Sequence, residues 1–447
     1  MKGFLYHTLY ICLIITTLTS CDDFLTIQPT GKVIPQTGRE YRALLTEAYS
    51  AIPSDRGKTV FRSDELILDN QNTTSEGLSS FLNIWLWLDD ENDEGTSTFG
   101  WRSFYYVSYI ANTVIENGMS MTEATHAERS QLMGEAYMLR AYMHFILVNL
   151  YSEAYTHCHP ATTKGIPLKL NSDVNAILKC NTVEEVYTSI LADITKARQL
   201  LNIESWEEGF GYRFNLLSAD AFLARVYLYM GQWDNAYQYA TNVITQHGTL
   251  EDMTSSSVLP SHYKSVEAIL SMENIMPAIY QTEGRINTGL LNLYRSGDMR
   301  KSKYYRQVTT STSTLLKGGS NEYRCTFRSG EFYLIAAEAA LEMDEIETAR
   351  HYLTTLMKAR YHKNIFPKEE TRVNAMTLEE LRQEIYDERF RELAFEGHRW
   401  FDLRRTTRPS LTKNYQNITY TLEQNDSRYT IRIPSEAIEA NPGLAEL

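Results

Sequence analysis

The stretch ARVYLYMGQWDNAYQYATNVI, residues 224–244, places Gly231 between two apolar runs, with small residues at Ala224 and Ala236 and large ones at Trp233 and Val243. Small side chains let two helices touch, and a large one at the turn fills the space between them. That is the pattern of a tetratricopeptide-type helix pair. A second stretch, AEAALEMDEIETARHYLTTLM at residues 337–357, aligns with the first, more loosely, through Ala337, Ile346, Ala349 and Leu356. A pure array would keep a period of about 34 residues. Here long irregular segments intervene, notably Pro53 to Gly100 and Glu251 to Arg328. The sequence therefore predicts an all-α fold in which tetratricopeptide-like helix pairs form a scaffold carrying long irregular insertions.

Working outward, helical periodicity recurs. Val183, Val186, Tyr187, Ile190, Leu191 and Ile194 keep i, i+3, i+4 spacing, and Thr182 with Glu185 forms a capping box. Arg129 to Tyr151 is apolar nearly all round after Ala136, as expected of a helix sandwiched between others. The chain has 447 residues, 43% hydrophobic and 22% charged, with a net charge of -13, which is globular and excludes disorder. A surface of that sign repels polyanions, so nucleic acid is not an expected partner. Eight of the 30 tyrosines, Tyr137, Tyr142, Tyr187, Tyr227, Tyr229, Tyr237, Tyr239 and Tyr352, fall in the helical pattern and read as scaffold packing.

Lys2 followed by an apolar run from Phe4 to Leu18 reads as a secretory leader, too short for a membrane span, and no later segment is long enough for one. Leu18-Thr19-Ser20-Cys21 is the pattern read by lipoprotein processing, which predicts Cys21 as the acylated first residue of the mature chain. Residues 1–20 are then a signal peptide, 21–35 a lipidated tether and 36–447 a single helical domain. Cys158, Cys180 and Cys325 are too few for a disulfide framework and are expected as isolated thiols, although a Cys158–Cys180 bridge stays open. His157-Cys158-His159 lacks a second ligand group and reads as a loop.

Several blocks together resemble the SusD/RagB family of surface nutrient-binding lipoproteins. They run from Cys21-Asp22-Asp23-Phe24-Leu25 through GEAYMLRAYMHFILVNLY, GIPL at Gly165 to Leu168, TVEEVYTSILADITKA, the 224–244 repeat and FRSGEFYLIAAEA to ERFRELAFEGHRWFDLRR and IPSEAIEANPGL. The resemblance is almost end to end and implies an N-terminal SusD-like part at about 21–215 and a C-terminal SusD/RagB part at about 265–447. It also implies anchoring at the outer membrane, facing the cell exterior. There such a protein pairs with a SusC-like TonB-dependent transporter and delivers an oligosaccharide or other nutrient to it.

The block ERFRELAFEGHRWFDLRR invites an enzymatic reading. Thr377 and Glu380 cap a helix on which Leu378, Leu381, Ile385, Leu393 and Trp400 define one arc, and Arg389, Glu392, Glu396 and Arg399 fall inside it, with His398 off that face. Paired carboxylates serve glycosidases. Alternation with arginines would instead hold the acids ionised and leave no proton to donate, so the block predicts a structural ion-pair network between packed helices and no catalytic residues. A glycosidase acting through Glu396 and a tetratricopeptide adaptor binding protein without sugar remain the alternatives. No HExxH, GxSxG, phosphate-loop or dinucleotide motif occurs, and no cofactor is expected.

Ligand binding is then expected in the insertions. NIWLWLDDENDEGTSTFGW, residues 83–101, mixes aromatic rings with carboxylates and an amide, which suits the flat C–H faces and hydroxyl edges of sugars. Trp85, Trp87, Asp89, Asp90 and Asn92 are the expected contacts, with one of the two tryptophans exposed. Arg62 and Asp64 precede this loop, and Tyr280 and Arg285 lie in the second insertion; all four are expected to contribute. Asp90, Asn92, Glu94 and Gly95 begin like an EF-hand loop, but Trp101 stands where a bidentate Glu is required. An irregular cation site at Asp89, Asp90 and Asp93 stays open.

Overall fold

The computed structural model describes residues 35–69, 76–88, 98–282, 284–310 and 312–445. Among these residues eleven longer helices carry the architecture: α1 Gly38–Ser50, α2 Arg102–Asn117, α3 His126–Tyr151, α4 Val183–Leu200, α5 Leu216–Met230, α6 Trp233–His247, α7 Ser329–Glu342, α8 Ile346–Arg360, α9 Phe366–Asn374, α10 Leu378–Glu392 and α11 Arg399–Arg405. Each of α1 to α8 packs on the next in order, and α10 returns against α7. The fold is all-α, as the repeat pattern predicts. Among the described residues no helix is long and apolar enough to cross a membrane.

The two repeat units are α5–α6 and α7–α8. Ala224, Ala236, Val243, Ala337, Ala349 and Leu356 are all fully buried where these helices meet. Gly231 ends α5 at φ 67°, and Asp344 takes the same left-handed turn at φ 63° between α7 and α8. The second copy thus turns on an aspartate, one of the few non-glycine residues that tolerates this region. Capping boxes start α4 and α10 as read from the sequence, and also α1, α3 and α5. Helix α3 is buried without a break from Met138 to Tyr151. Arg140 ties it to α4 through Asp193 at 2.6 Å, and Arg225 ties α5 to α7 through Glu331 at 2.7 Å.

The helix expected to run through Trp400 stops at Glu392. Phe395 and Gly397 adopt φ 63° and 68°, and α11 starts afresh at Arg399. Tertiary contacts impose this break: the Phe395 N–H donates to Glu65, and a Cβ on Gly397 would lie 2.7 Å from the Arg56 carbonyl. His398 is not merely off a helical face but buried in the break, with Nε2 3.5 Å from the Arg56 guanidinium. Burial, then the guanidiniums around it, push its pKa well below the ordinary value, so the ring is neutral.

Among the described residues, four two-stranded antiparallel ladders hold the insertions. They pair β1 Leu66–Ile67 with β3 Arg285–Ile286, β2 Ala268–Leu270 with β6 Phe327–Arg328, β4 Tyr305–Gln307 with β5 Ser313–Leu315, and β7 Leu411–Tyr415 with β8 Ile418–Leu422. The β1–β3 pair joins the two insertions directly, Leu66 opposite Ile286 and Ile67 opposite Arg285. The aromatic surplus is mainly packing: Tyr142, Tyr187 and Tyr229 are buried, and Tyr137, Tyr227, Tyr237, Tyr239 and Tyr352 are half-buried against the core. Cys158, Cys180 and Cys325 are free thiols.

Candidate functional site

The charge-rich block is a buried ion-pair network. Glu392 bonds to Arg300 at 2.8 Å, Arg328 at 2.6 Å and Arg360 at 2.8 Å. Glu396 bonds to Lys317 at 2.6 Å and Arg328 at 2.8 Å, and Glu267 bridges Arg328 and Arg360. Arg389 pairs with Asp402 at 3.1 Å, and Arg399 leaves the block to hold Asp64 at 2.8 Å. Burial pushes the Glu392 carboxyl up, but the guanidiniums of Arg360, Arg328 and Arg300 outweigh it and hold it well below the usual range. Glu396 is lowered in the same way by Arg328 and Lys317. An acid held ionised and sealed from solvent cannot protonate a leaving group, so the block clamps α7, α8 and α10 together.

The insertion residues singled out from the sequence come together, but mostly in the interior. Trp85 and Trp87 are 2% and 1% exposed, so neither is the open platform expected. Their ring N–H groups donate to the carbonyls of Leu66 and Arg62, both at 3.0 Å, and the ammonium of Lys413 lies 4.0 Å from the Trp87 ring centre. Lys413 also donates to the carbonyls of Phe61 and Trp85, so the β7–β8 hairpin covers both indoles. The backbone explains why two rings at i and i+2 are both inside: Trp87 sits at φ 59°, and strand alternation does not apply.

Arg62 and Tyr280 are likewise buried and not available to a ligand. Arg62 donates to the Arg428 carbonyl and stacks 5.0 Å from the Trp400 ring, while the Tyr280 hydroxyl donates to the Gly57 carbonyl at 2.9 Å. Asp64 is half-buried in its pair with Arg399, and Arg285 is half-buried at the β1–β3 junction. Asp89, Asp90, Asn92, Asp93 and Cys21 lie outside the described residues. Among those described, no cluster of three or more His, Cys, Asp or Glu side chains can hold a metal ion.

What the junction does offer is a hollow of about 720 Å³ that no single sequence motif announces. It lies between the short helix Thr288–Leu293 and the β4–β5 hairpin, whose second strand packs on β3. Asn287 caps that helix through Gly289, and its own N–H donates to the Glu65 carbonyl at 2.9 Å, so the wall is fastened to the first insertion. Tyr294 and Tyr305 form the floor, their hydroxyls 2.9 Å apart and Tyr294 donating to the Arg391 carbonyl at 2.8 Å. Asn292, Arg295, Ser302, Gln307 and Thr312 line the opening. Amides and hydroxyls both donate and accept, which matches the hydroxyl edge of a sugar. The signal that could have found this hollow was the run of polar residues in the second insertion, where only Tyr280 and Arg285 drew attention.

A family profile described as "Starch-binding associating with outer membrane" matches residues 23–228, and the profile of the SusD family itself matches residues 215–445. The chain belongs to the SusD family. A SusD-like protein of Formosa agariphila is 22% identical over 90% of this chain and 91% of its own length, and a second from the same organism is 22% identical over 96% and 95%. Among solved structures, a SusD superfamily protein of Bacteroides fragilis superposes with TM-score 0.77 at 21% identity, covering 93% of this chain and all of that one. A SusD-like carbohydrate binding protein of Bacteroides vulgatus gives TM-score 0.67 at 19% identity over 92% and 97%. This SusD-family chain therefore shares the family's whole fold, and its family is one associated with the outer membrane.

Proposed function

We infer that this chain is a cell-surface lipoprotein, anchored through Cys21 to the outer membrane, which captures an oligosaccharide and passes it to a SusC-like TonB-dependent transporter. Membership of the SusD family over the full helical body carries the reading. The proteins it resembles include one named as carbohydrate binding, and the hollow at the insertion junction supplies hydrogen-bonding groups of the right kind. The charge network, whose carboxylates are paired and sealed, supports binding without cleavage.

The test is calorimetry of the purified protein against a panel of oligosaccharides, with product analysis of the same mixtures. Retention without cleavage is expected, weakened at least tenfold by Asn292→Ala with Gln307→Ala. A blank panel, with the protein still co-purifying with a transporter, would instead support a protein-binding adaptor. Release of shortened sugars lost on Glu396→Gln would support a glycosidase. Replacing Trp85 and Trp87 is not the right probe, because both indoles are core and their loss opens a cavity costing about 3–5 kcal/mol each. Cys21→Ala is expected to release the protein from the membrane fraction.

A further inference from the structure

A second concave surface lies along the first half of α2, away from the repeats and the charge network. Trp101, Tyr105, Tyr106 and Tyr109 form one wall, the segment 167–178 another, and the C-terminal helix Ser435–Ala440 with the turn Pro442–Leu444 a third. Its volume is about 870 Å³, within the range of about 300–1,000 Å³ that small-ligand sites occupy. A surface meant only for water would not carry Tyr106 at 44% and Val174 at 74% exposure beside Tyr109.

The walls are fixed in place. Tyr105 donates its hydroxyl to the Pro167 carbonyl at 2.8 Å, and Tyr106 donates to the Glu47 carboxylate. The Asn441 amide donates to the Leu178 carbonyl at 2.9 Å, and Glu116 accepts from the Ser172 N–H at 2.8 Å. Tyr105 and Tyr106 are thus held by their hydroxyl ends while the groove stays open, which lowers the ordering cost of binding a ligand.

Arg102, Tyr106 and Tyr109 follow one another at i+4 and i+3 on α2. The steps climb about 6 and 4.5 Å, each roughly one hexose ring. Aromatic faces accept the C–H faces of pyranose rings, Val174, Leu178 and Ala437 offer the same kind of contact from the opposite side, and Arg102 and Glu436 stand at the edge as donor and acceptor. A lipid chain would make no use of those two polar groups at the edge, whereas a sugar's hydroxyls can bond to both.

We propose that this groove is a second binding site, taking a short linear oligosaccharide of about three units stacked along α2. It rests on the glycan-binding reading but on none of the residues of the hollow. Each site can therefore fail alone.

The experiment titrates the full-length purified protein with linear oligosaccharides of glucose, mannose, xylose and uronic acid, two to six units long. Two sites are expected on the wild type. Tyr106→Ala with Tyr109→Ala should remove one of them, Tyr109→Phe should keep it, and affinity at this site should stop rising beyond three or four units. The two tyrosines are surface residues, and unchanged thermal denaturation will verify folding. Stoichiometry and affinity left unchanged by the double alanine variant would overturn the groove, and so would loss on Tyr109→Phe equal to that on alanine. Loss of binding only in the Asn292→Ala, Gln307→Ala variant would leave the hollow as the single site, whereas no binding by any oligosaccharide would overturn both.

Discussion

The repeat scaffold and the insertion junction are built by opposite means. Within each of the pairs α5–α6 and α7–α8 the two helices are joined by a short turn and touch through alanines, and α5 begins at a capping box and ends at Gly231. At the junction single groups reach across the chain: Glu65 to Phe395, Lys413 to Trp85, Arg62 to Arg428. The scaffold's stability is therefore spread over many local contacts together with the buried ion-pair clamp, while the position of the insertion loops hangs on a few buried polar bonds. Such a division lets loops change between relatives without unsettling the helices beneath them.

Breaking the clamp should do the most damage. Glu392→Gln removes the charge shared by Arg300, Arg328 and Arg360 and leaves buried guanidiniums underpaired, which costs about 3–5 kcal/mol. Urea denaturation should show this as a lower midpoint for the whole chain with one cooperative transition. Local loosening of the insertions alone, seen by hydrogen exchange, would contradict the clamp's role.

The junction should respond to pH where the scaffold does not. Burial pushes the Glu65 carboxyl from its ordinary 4.5 up to about 7, with the Phe395 N–H and Ser63 hydroxyl opposing that rise. The folded state thus binds the proton more tightly than the unfolded chain. The resulting stability is fully present below about pH 4.5, falls as pH rises and is gone above about 7, a loss on the order of 3 kcal/mol. Glu65→Gln should flatten the stability profile across that window. An equally steep profile in the variant would assign the pH response elsewhere.

These two regions also explain what could be read from the sequence. The helices were legible because their information is periodic: Ala224 and Ala236 announce a contact, Thr182 and Glu185 a start, and the arginines alternating with Glu392 and Glu396 a paired network. The break after Glu392 was not legible, because what ends the helix is a carboxylate more than three hundred residues earlier. Trp85 and Trp87 were found as a site signal and misplaced for the same reason. Their composition suits a sugar, but the hairpin that covers them is announced only by Lys413, far along the chain. The hollow escaped notice because its lining of serines, threonines, amides, two tyrosines and scattered charges forms no motif and is given meaning only by the β1–β3 pairing.

Lys413 measures how firmly the hairpin holds that cover. Lys413→Met keeps the stem against the indoles but leaves the carbonyls of Phe61 and Trp85 without their donor, a cost of about 1–3 kcal/mol offset in part by no longer burying an ammonium. Burial pushes the Lys413 pKa well below its ordinary value, which is the direction of that offset. Hydrogen exchange should rise in residues 61–69 and 82–88 while α5 to α8 keep their protection. Uniform loss of protection would make the hairpin part of the scaffold.

The smallest effect tests the equivalence of the two repeat turns. Both positions are left-handed, Gly231 at φ 67° and Asp344 at φ 63°. A side chain at Gly231 meets only ordinary contacts, 3.4 Å to Thr156 and 3.7 Å to Trp233, so Gly231→Ala pays for backbone strain alone, about 1 kcal/mol. At Asp344 the strain is already present, and glycine would relieve it while adding freedom to the unfolded chain. The two terms nearly cancel, so Asp344→Gly should change stability by no more than about 0.5 kcal/mol. If the alanine costs nothing, the first turn does not depend on its glycine. If Asp344→Gly costs more than 1 kcal/mol, the aspartate contributes something beyond tolerance of the turn, and the two units are not equivalent in how they reverse the chain.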